Sequence, residues 1–360
     1  MALEFNPILP VPPEDIPLYH ARSITPGNNW HGPFVYGSLH WAFGEVGQNS
    51  LNYPSDWHLV ACYATAGTNA ETGTWTEADW THHPQGHEVN ASPYWDGTSS
   101  LVYLAYKRQY NDLTRQICLT SFNMNTKAWG TPAQSGLNPG GGYTGSKMIR
   151  LSGGTFIILT NTGTQRDTTD FPTQGAHYIT YNGTAWSTAN LISADNADIF
   201  ASQIQLSAGD LTHFYYWLAG FSTNTYYHRA LTSAGTLGTE QEILRSYTAH
   251  ALGVPTTYNG TIALPYADDG TATTTFWPWV AFGSLATNTN PTWSTVQVSS
   301  STRIMPPNTP DNAASFNWIM GGTDLYTMWV TPQPAAGSNI TNDIVYARYN
   351  GTGYDTPVLY

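Results

Sequence analysis

Charge is scarce in this chain, and what there is leans acidic. Lys and Arg together number 12 against 24 Asp and Glu, charged residues make up 10% of the 360, and the formal net charge is −12. So few and so scattered basic residues exclude a phosphate-lined nucleic-acid partner, which needs Lys/Arg clusters. The same shortage excludes the charge-rich composition of disordered chains. Cysteine is nearly absent: Cys62 and Cys118 show no framework spacing, so the chain does not depend on disulfide stapling. They read as buried thiols, with a disulfide between them as the alternative. No apolar run approaches the roughly 18 residues of a membrane span. Nor does any helical period persist beyond a turn or two. The first 17 residues lack the basic and apolar regions of a secretory signal, so either a signal is removed or that route is not used.

What is abundant is aromatic residues (14%), Gly (33) and Pro (23). They fall into a repeat. A turn followed by an aromatic and a small polar residue occurs as Gly73-Thr74-Trp75-Thr76, Lys127-Ala128-Trp129-Gly130, Thr184-Ala185-Trp186-Ser187, Pro291-Thr292-Trp293-Ser294 and Thr352-Gly353-Tyr354-Asp355. A weaker copy is Gly235-Thr236-Leu237-Gly238. The marker positions 75, 129, 186, 237, 293 and 354 lie 54, 57, 51, 56 and 61 residues apart. That period is too long for ankyrin or leucine-rich repeats and suits four-stranded blades with loops.

A β-strand pattern precedes each marker, and a second apolar run lies one strand earlier: 34–43, 101–106, 155–159, 211–218, 261–266 and 324–330. A short inner strand, ending at Gly32, Gly97, Gly154, Gly209, Gly260 or Gly322, comes before that run; in the first repeat it is expected at 19–25. Tyr181-Asn182-Gly183-Thr184 and Tyr349-Asn350-Gly351-Thr352 are expected to turn with positive φ at both Asn and Gly. The expected fold is therefore all-β: a six-bladed β-propeller of four-stranded antiparallel blades. The blades are expected at about 18–80, 81–134, 135–191, 192–243, 244–299 and 300–360, after an extended Pro-rich N-terminal arm, residues 1–17.

By period and strand pattern, residues 18–360 resemble the sialidase-like six-bladed propeller group, which includes many glycan-handling proteins. That resemblance implies a fold and a glycan ligand. The group's Ser-x-Asp-x-Gly-x-x-Trp box has no intact copy here, so no catalytic residue is carried over by motif. In composition, low in charge and rich in Thr, Asn, Gly and Ser, the chain resembles bacteriophage virion components.

In propellers of this kind the loops entering the inner strands and those joining second to third strands share the face where a ligand binds. Those segments carry the catalytic candidates His87, Asp198, His250 and Asp311. They also carry the ligand-binding candidates His82, His83, His87, Arg108, Tyr143, Arg166, Arg245, Trp277 and Arg303. Glu45, Lys107, Asp167, Asp170, Asp268 and Asp269 belong to the same loop sets. A carboxylate pair would serve glycoside hydrolysis. A His/Tyr pair beside an arginine would serve elimination from a uronate. His82, His83 and His87 match no zinc-ligand spacing, so neither a metal nor another cofactor is expected.

The arm holds five prolines among Leu3, Phe5, Ile8, Leu9 and Val11. It is expected to dock on this domain or on other subunits of an assembly. The leading expectation is a non-catalytic recognition or structural propeller in a virion or other extracellular assembly, with a glycan or cell-surface receptor as ligand. The alternative is a glycan-active enzyme, a glycoside hydrolase or polysaccharide lyase.

Overall fold

A computed structural model describes residues 31–48, 56–65, 75–81, 86–110, 114–140, 147–163, 165–194, 203–219, 224–246, 250–252, 255–268, 277–284, 291–301, 316–320, 324–332 and 342–359. The arm at 1–17 and the strand expected at 19–25 lie outside them. Among the described residues all regular structure is β, and no helix is long and apolar enough to cross a bilayer.

Among the described residues, twenty-six strands make six antiparallel sheets, each built on a four-stranded path that follows chain order. The first holds β1 (His31–Tyr36), β2 (Leu39–Gln48), β3 (Asp56–Thr65) and β4 (Thr76–Trp80). The second holds β5 (Gly86–Tyr94), β6 (Leu101–Tyr110), β7 (Arg115–Asn123) and β8 (Ala128–Trp129), with β9 (Ala133–Gln134) also on β7. The third is β10 (Lys147–Arg150), β11 (Phe156–Asn161), β12 (Gly175–Tyr181) and β13 (Asn190–Ala194). The fourth is β14 (Gln203–Ser207), β15 (Leu211–Ala219), β16 (Asn224–Leu231) and β17 (Gln241–Ser246). The fifth holds β18 (His250–Leu252), β19 (Thr256–Tyr258), β20 (Thr261–Asp268), β21 (Trp277–Ser284) and β22 (Trp293–Gln297), with β18 and β19 both paired to β20. The sixth is β23 (Phe316–Met320), β24 (Leu325–Pro332), β25 (Asn342–Tyr349) and β26 (Val358–Leu359).

The chain divides into two compact units. One comprises Met1–Arg150, Gly154–Gln174 and Tyr178–Asn190, and the other Leu151–Gly153, Gly175–His177 and Leu191–Tyr360. Within each unit the core lies between neighbouring sheets. In the first, Trp41, Phe43, Tyr106 and Phe122 form one buried cluster, and Ala105, Ile117, Phe156 and Ile179 another. In the second, Tyr215, Tyr226, Leu264 and Tyr266 form one, and Ala263, Val280, Trp329 and Val345 another. Second strands are covered on both faces, and all six residues of β11 are buried. That is why these strands read as unbroken apolar runs instead of alternating.

The markers sit at the mouth of the turn from third to fourth strand. Trp186, Leu237 and Tyr354 each make a single bridge, to Tyr181, Leu231 and Tyr349. Trp129 pairs with Phe122 and Trp293 with Gly283. The residue after the marker then donates its N–H back across the turn: Gly130 to Ser121, Ser187 to Thr180, Gly238 to Ala230 and Asp355 to Arg348, at 2.7–2.9 Å. Aromatic pairs close the turn, with centroids 4.7 Å apart for Tyr181–Trp186 and 5.2 Å for Tyr349–Tyr354.

Two expectations need correction. The apolar run 34–43 is two strands, because Gly37 (φ 61°) turns the chain and sets Tyr36 opposite Leu39. At Asn182-Gly183 and Asn350-Gly351 only the glycines have positive φ, 97° and 102°. The asparagines instead accept hydrogen bonds through Oδ1, Asn182 from the backbone of Thr184 and Ala185 and Asn350 from that of Thr352 and Gly353. Positive φ at both residues is found at Asn259-Gly260 (45° and 73°), the two-residue hairpin joining β19 and β20. Cys62 and Cys118 are both buried free thiols, as expected, which removes the disulfide alternative.

Candidate active site

In the first unit, charged and polar side chains gather at one end of the strands, where β2, β6 and β11 finish and β3, β5 and β10 begin. Buried there are Glu45 on β2, His58 on β3, Thr81 after β4, Glu88 on β5, Lys107 and Arg108 on β6 and Asn161 on β11. In a chain with 10% charged residues, four buried charges in one place is a concentration. Burying a charge costs several kcal/mol unless partners replace water, so each must be accounted for.

Strand pairing places the central pair. Glu88 stands directly opposite Arg108 in the β5–β6 ladder, so their side chains share a face. Arg108 Nη2 lies 2.6 Å from Glu88 Oε1 and 3.0 Å from the Tyr106 hydroxyl, two residues along the same face. The Thr81 hydroxyl donates to the other Glu88 oxygen and accepts from the Leu59 backbone N–H at 2.9 Å. This network joins the first and second sheets. Burial opposes charge on Arg108, but Tyr106 and Glu88 outweigh it and hold the guanidinium charged. Burial, then the Glu88 carboxylate, pushes the Tyr106 phenol well up. Arg108 Nε is buried with no hydrogen-bond partner among the described residues.

Glu45 is placed by an irregularity. The β5–β6 register shifts between Val89 and Ser92, and the Ala91 N–H released there donates to Glu45 Oε1 at 2.6 Å. The Glu45 charge partly offsets the burial that lowers the pKa of Lys147 on β10. Lys107 points to the other face of β6 and donates to the Asn161 carbonyl at 3.4 Å. Burial, reinforced by Arg115, brings its ammonium down to about 7. Arg115 donates to Gln109 Oε1 at 3.0 Å and to the Gly140 carbonyl at 3.2 Å. Gly140 (φ 77°) passes so near the Gln165–Arg166 backbone that any side chain there would collide with it.

The residues singled out from sequence fare unevenly. Arg108 is at this centre, but its guanidinium is engaged by Glu88 instead of open to a ligand. Arg166 closes its own loop through the carbonyls of Phe171 (2.8 Å) and Pro172 (3.3 Å). Trp277 is half-buried at the start of β21, opposite Asp268. His87 pairs with Gln109, Arg245 with Thr225 and His250 with Ala267 in their ladders. His82, His83, Tyr143, Asp198, Arg303 and Asp311 lie outside the described residues. Sequence reasoning passed over Glu88, Tyr106, Thr81 and Lys147. The available signal was a charge or hydroxyl inside an apolar strand, as in Tyr106-Lys107-Arg108 and Lys147-Met148-Ile149.

No family model matches the chain, and no curated protein does. Solved structures do. A polysaccharide lyase of the PL25 ulvan lyase family, bound to -[GlcA(1-4)Rha3S]-, is 11% identical, with 93% of this chain and 82% of that one aligned at a TM-score of 0.52. The NanB sialidase of Streptococcus pneumoniae is 10% identical over 92% of this chain and 66% of its own, at 0.49. An α-L-arabinanase of Penicillium chrysogenum is 14% identical over 85% and 89%, at 0.46. The fold is a β-propeller built on four-stranded antiparallel sheets, two of which carry a fifth short strand. The leading expectation of a non-catalytic recognition or structural propeller is corrected by the first of these matches, which is a polysaccharide lyase.

Proposed function

We propose that this chain is a glycan-active enzyme, a glycoside hydrolase or a polysaccharide lyase, working at the strand ends of the first unit. One observation carries the reading: Glu45, Glu88, Lys107 and Arg108 are all buried at that one end. An apolar set of similar volume would satisfy folding at least as well. Buried charge kept in one place, with a lysine brought to neutral pKa, is the pattern of a functional site. Glu88 has both oxygens engaged and Arg108 is locked to it, so these two act as positioning groups. Substrate contact falls to residues at the strand entries of this unit, among which His87 is the base of choice. The solved propellers matched above, which act on glycans, support the assignment.

The test is a panel of uronate-containing, arabinan and sialylated glycans, with two readouts on each. Ultraviolet absorbance of an unsaturated product marks elimination, and new reducing ends without it mark hydrolysis. Turnover lost in His87→Ala, with melting temperature kept, supports the proposal. No product from any member of the panel overturns it.

A further inference from the structure

The second unit holds a hydrogen-bonded chain that the glycan reading does not use. On the fourth sheet, Ser207 ends β14 and His213 lies on β15, with Gln205 directly opposite His213 in the ladder. His228 on β16 stands opposite Tyr215. Two-residue alternation puts Ser207, His213 and His228 on one face. Ser207 Oγ is 2.9 Å from His213 Nε2, and His213 Nδ1 is 2.9 Å from His228 Nε2. The two rings stack with centroids 5.2 Å apart, both wholly buried, and Trp293 meets His228 edge-on at 5.5 Å. Burial keeps both imidazoles neutral at pH 7.

This is the arrangement that nucleophilic catalysis requires: a hydroxyl on one ring nitrogen of a base, and a third group on the other nitrogen. With a proton on His213 Nδ1 donated to His228 Nε2, His213 Nε2 accepts the Ser207 hydroxyl. We propose that Ser207, His213 and His228 form a second catalytic centre, one for acyl transfer that hydrolyses small acyl esters. Ser207 is partly exposed, and Ala208 and Gly209 in the turn beside it are exposed, which gives an ester a side from which to approach. No atom lies within 4 Å of where a side chain on Gly209 would begin.

Ser207 Oγ attacks the acyl carbon while its proton passes to His213 Nε2. The ester C–O bond breaks and the departing alcohol takes that proton. Water then attacks the acyl-serine, giving a proton to His213, and the carboxylic acid leaves as Ser207 recovers it. His228 stays neutral and is a positioning residue. The reverse proton arrangement has Ser207 donating to the Leu211 carbonyl, 3.3 Å away, and gives an inert serine.

The whole chain is treated with a fluorophosphonate probe and, separately, with p-nitrophenyl acetate. A single phosphonyl adduct, mapped to Ser207, and ester turnover lowered about 100-fold or more in Ser207→Ala support the proposal. Ser207→Ala sits at a partly exposed strand end and should melt as the parent does. His213→Gln should lose turnover as well, its folding checked in the same melt. An adduct elsewhere, no adduct, or undiminished turnover in Ser207→Ala overturns it. None of these outcomes depends on glycan activity, which uses residues of the other unit.

Discussion

Glu88 and Arg108 face each other across the β5–β6 ladder with 2.6 Å between carboxylate and guanidinium, their side chains 0% and 4% exposed. Removing one partner strands a buried charge, whereas removing both does not. Glu88→Gln should therefore cost about 3–5 kcal/mol, and the double change Glu88→Met with Arg108→Met distinctly less. Urea unfolding of the parent and the two variants checks this through the midpoint at constant slope.

Lys107 should trade stability for function. Burial, and secondarily Arg115, lowers its folded pKa to about 7, below the ordinary lysine value of 10.5. A cation with depressed folded pKa is destabilised as pH falls from the unfolded value toward the folded one, because only the unfolded chain takes up the proton. Lys107→Met should hence melt at a higher temperature at pH 7 than the parent, while glycan turnover falls.

The same sign holds for the histidine pair. Burial brings His213 to about 4, and burial with its neighbour's charge brings His228 to about 3, from 6.5. The stability they contribute is present above pH 6.5 and is lost as pH falls toward 4 and 3. The loss should reach the order of a few kcal/mol by pH 4. Neither imidazole's NMR resonances should titrate between pH 8 and 5; a midpoint near 6.5 for either would contradict this.

Gly283 makes room for Trp293, its ladder partner. A Cβ on Gly283 would lie 2.8 Å from the Trp293 ring, which packs, partly buried, against the cluster that holds Tyr215 and Tyr226. Gly283→Ala should cost about 1–3 kcal/mol by overpacking. The near-ultraviolet circular dichroism of the aromatics should change with it.

Gly183 and Gly351 face open space, so a side chain there meets only the backbone penalty of φ near 100°. Alanine at either should lower stability by about 1–3 kcal/mol with no change in aromatic spectra.

The linear chain determined the architecture. A near-constant period of aromatic markers, glycines at the hairpins and second strands too apolar to face water are local features. Short antiparallel meanders follow from local features, since each strand pairs with its sequence neighbour. Even so, the chain alone misplaced the first hairpin. In 34–43 a strand on either side of Gly37 is as apolar as one long strand, and only pairing Tyr36 with Leu39 separates them.

The sites were decided by tertiary structure. Nothing in the spacing of residues 88 and 108 marks them as partners, because a ladder 20 residues apart in sequence sets them opposite. Glu45 and Ala91 meet only because a bulge releases one N–H, and the Ser207–His213–His228 chain depends on the shared face of three strands. Charge type is written in the sequence. Whether a charge is solvated, paired or stripped of water depends on what the fold packs against it, and that environment gives each of these side chains its chemistry.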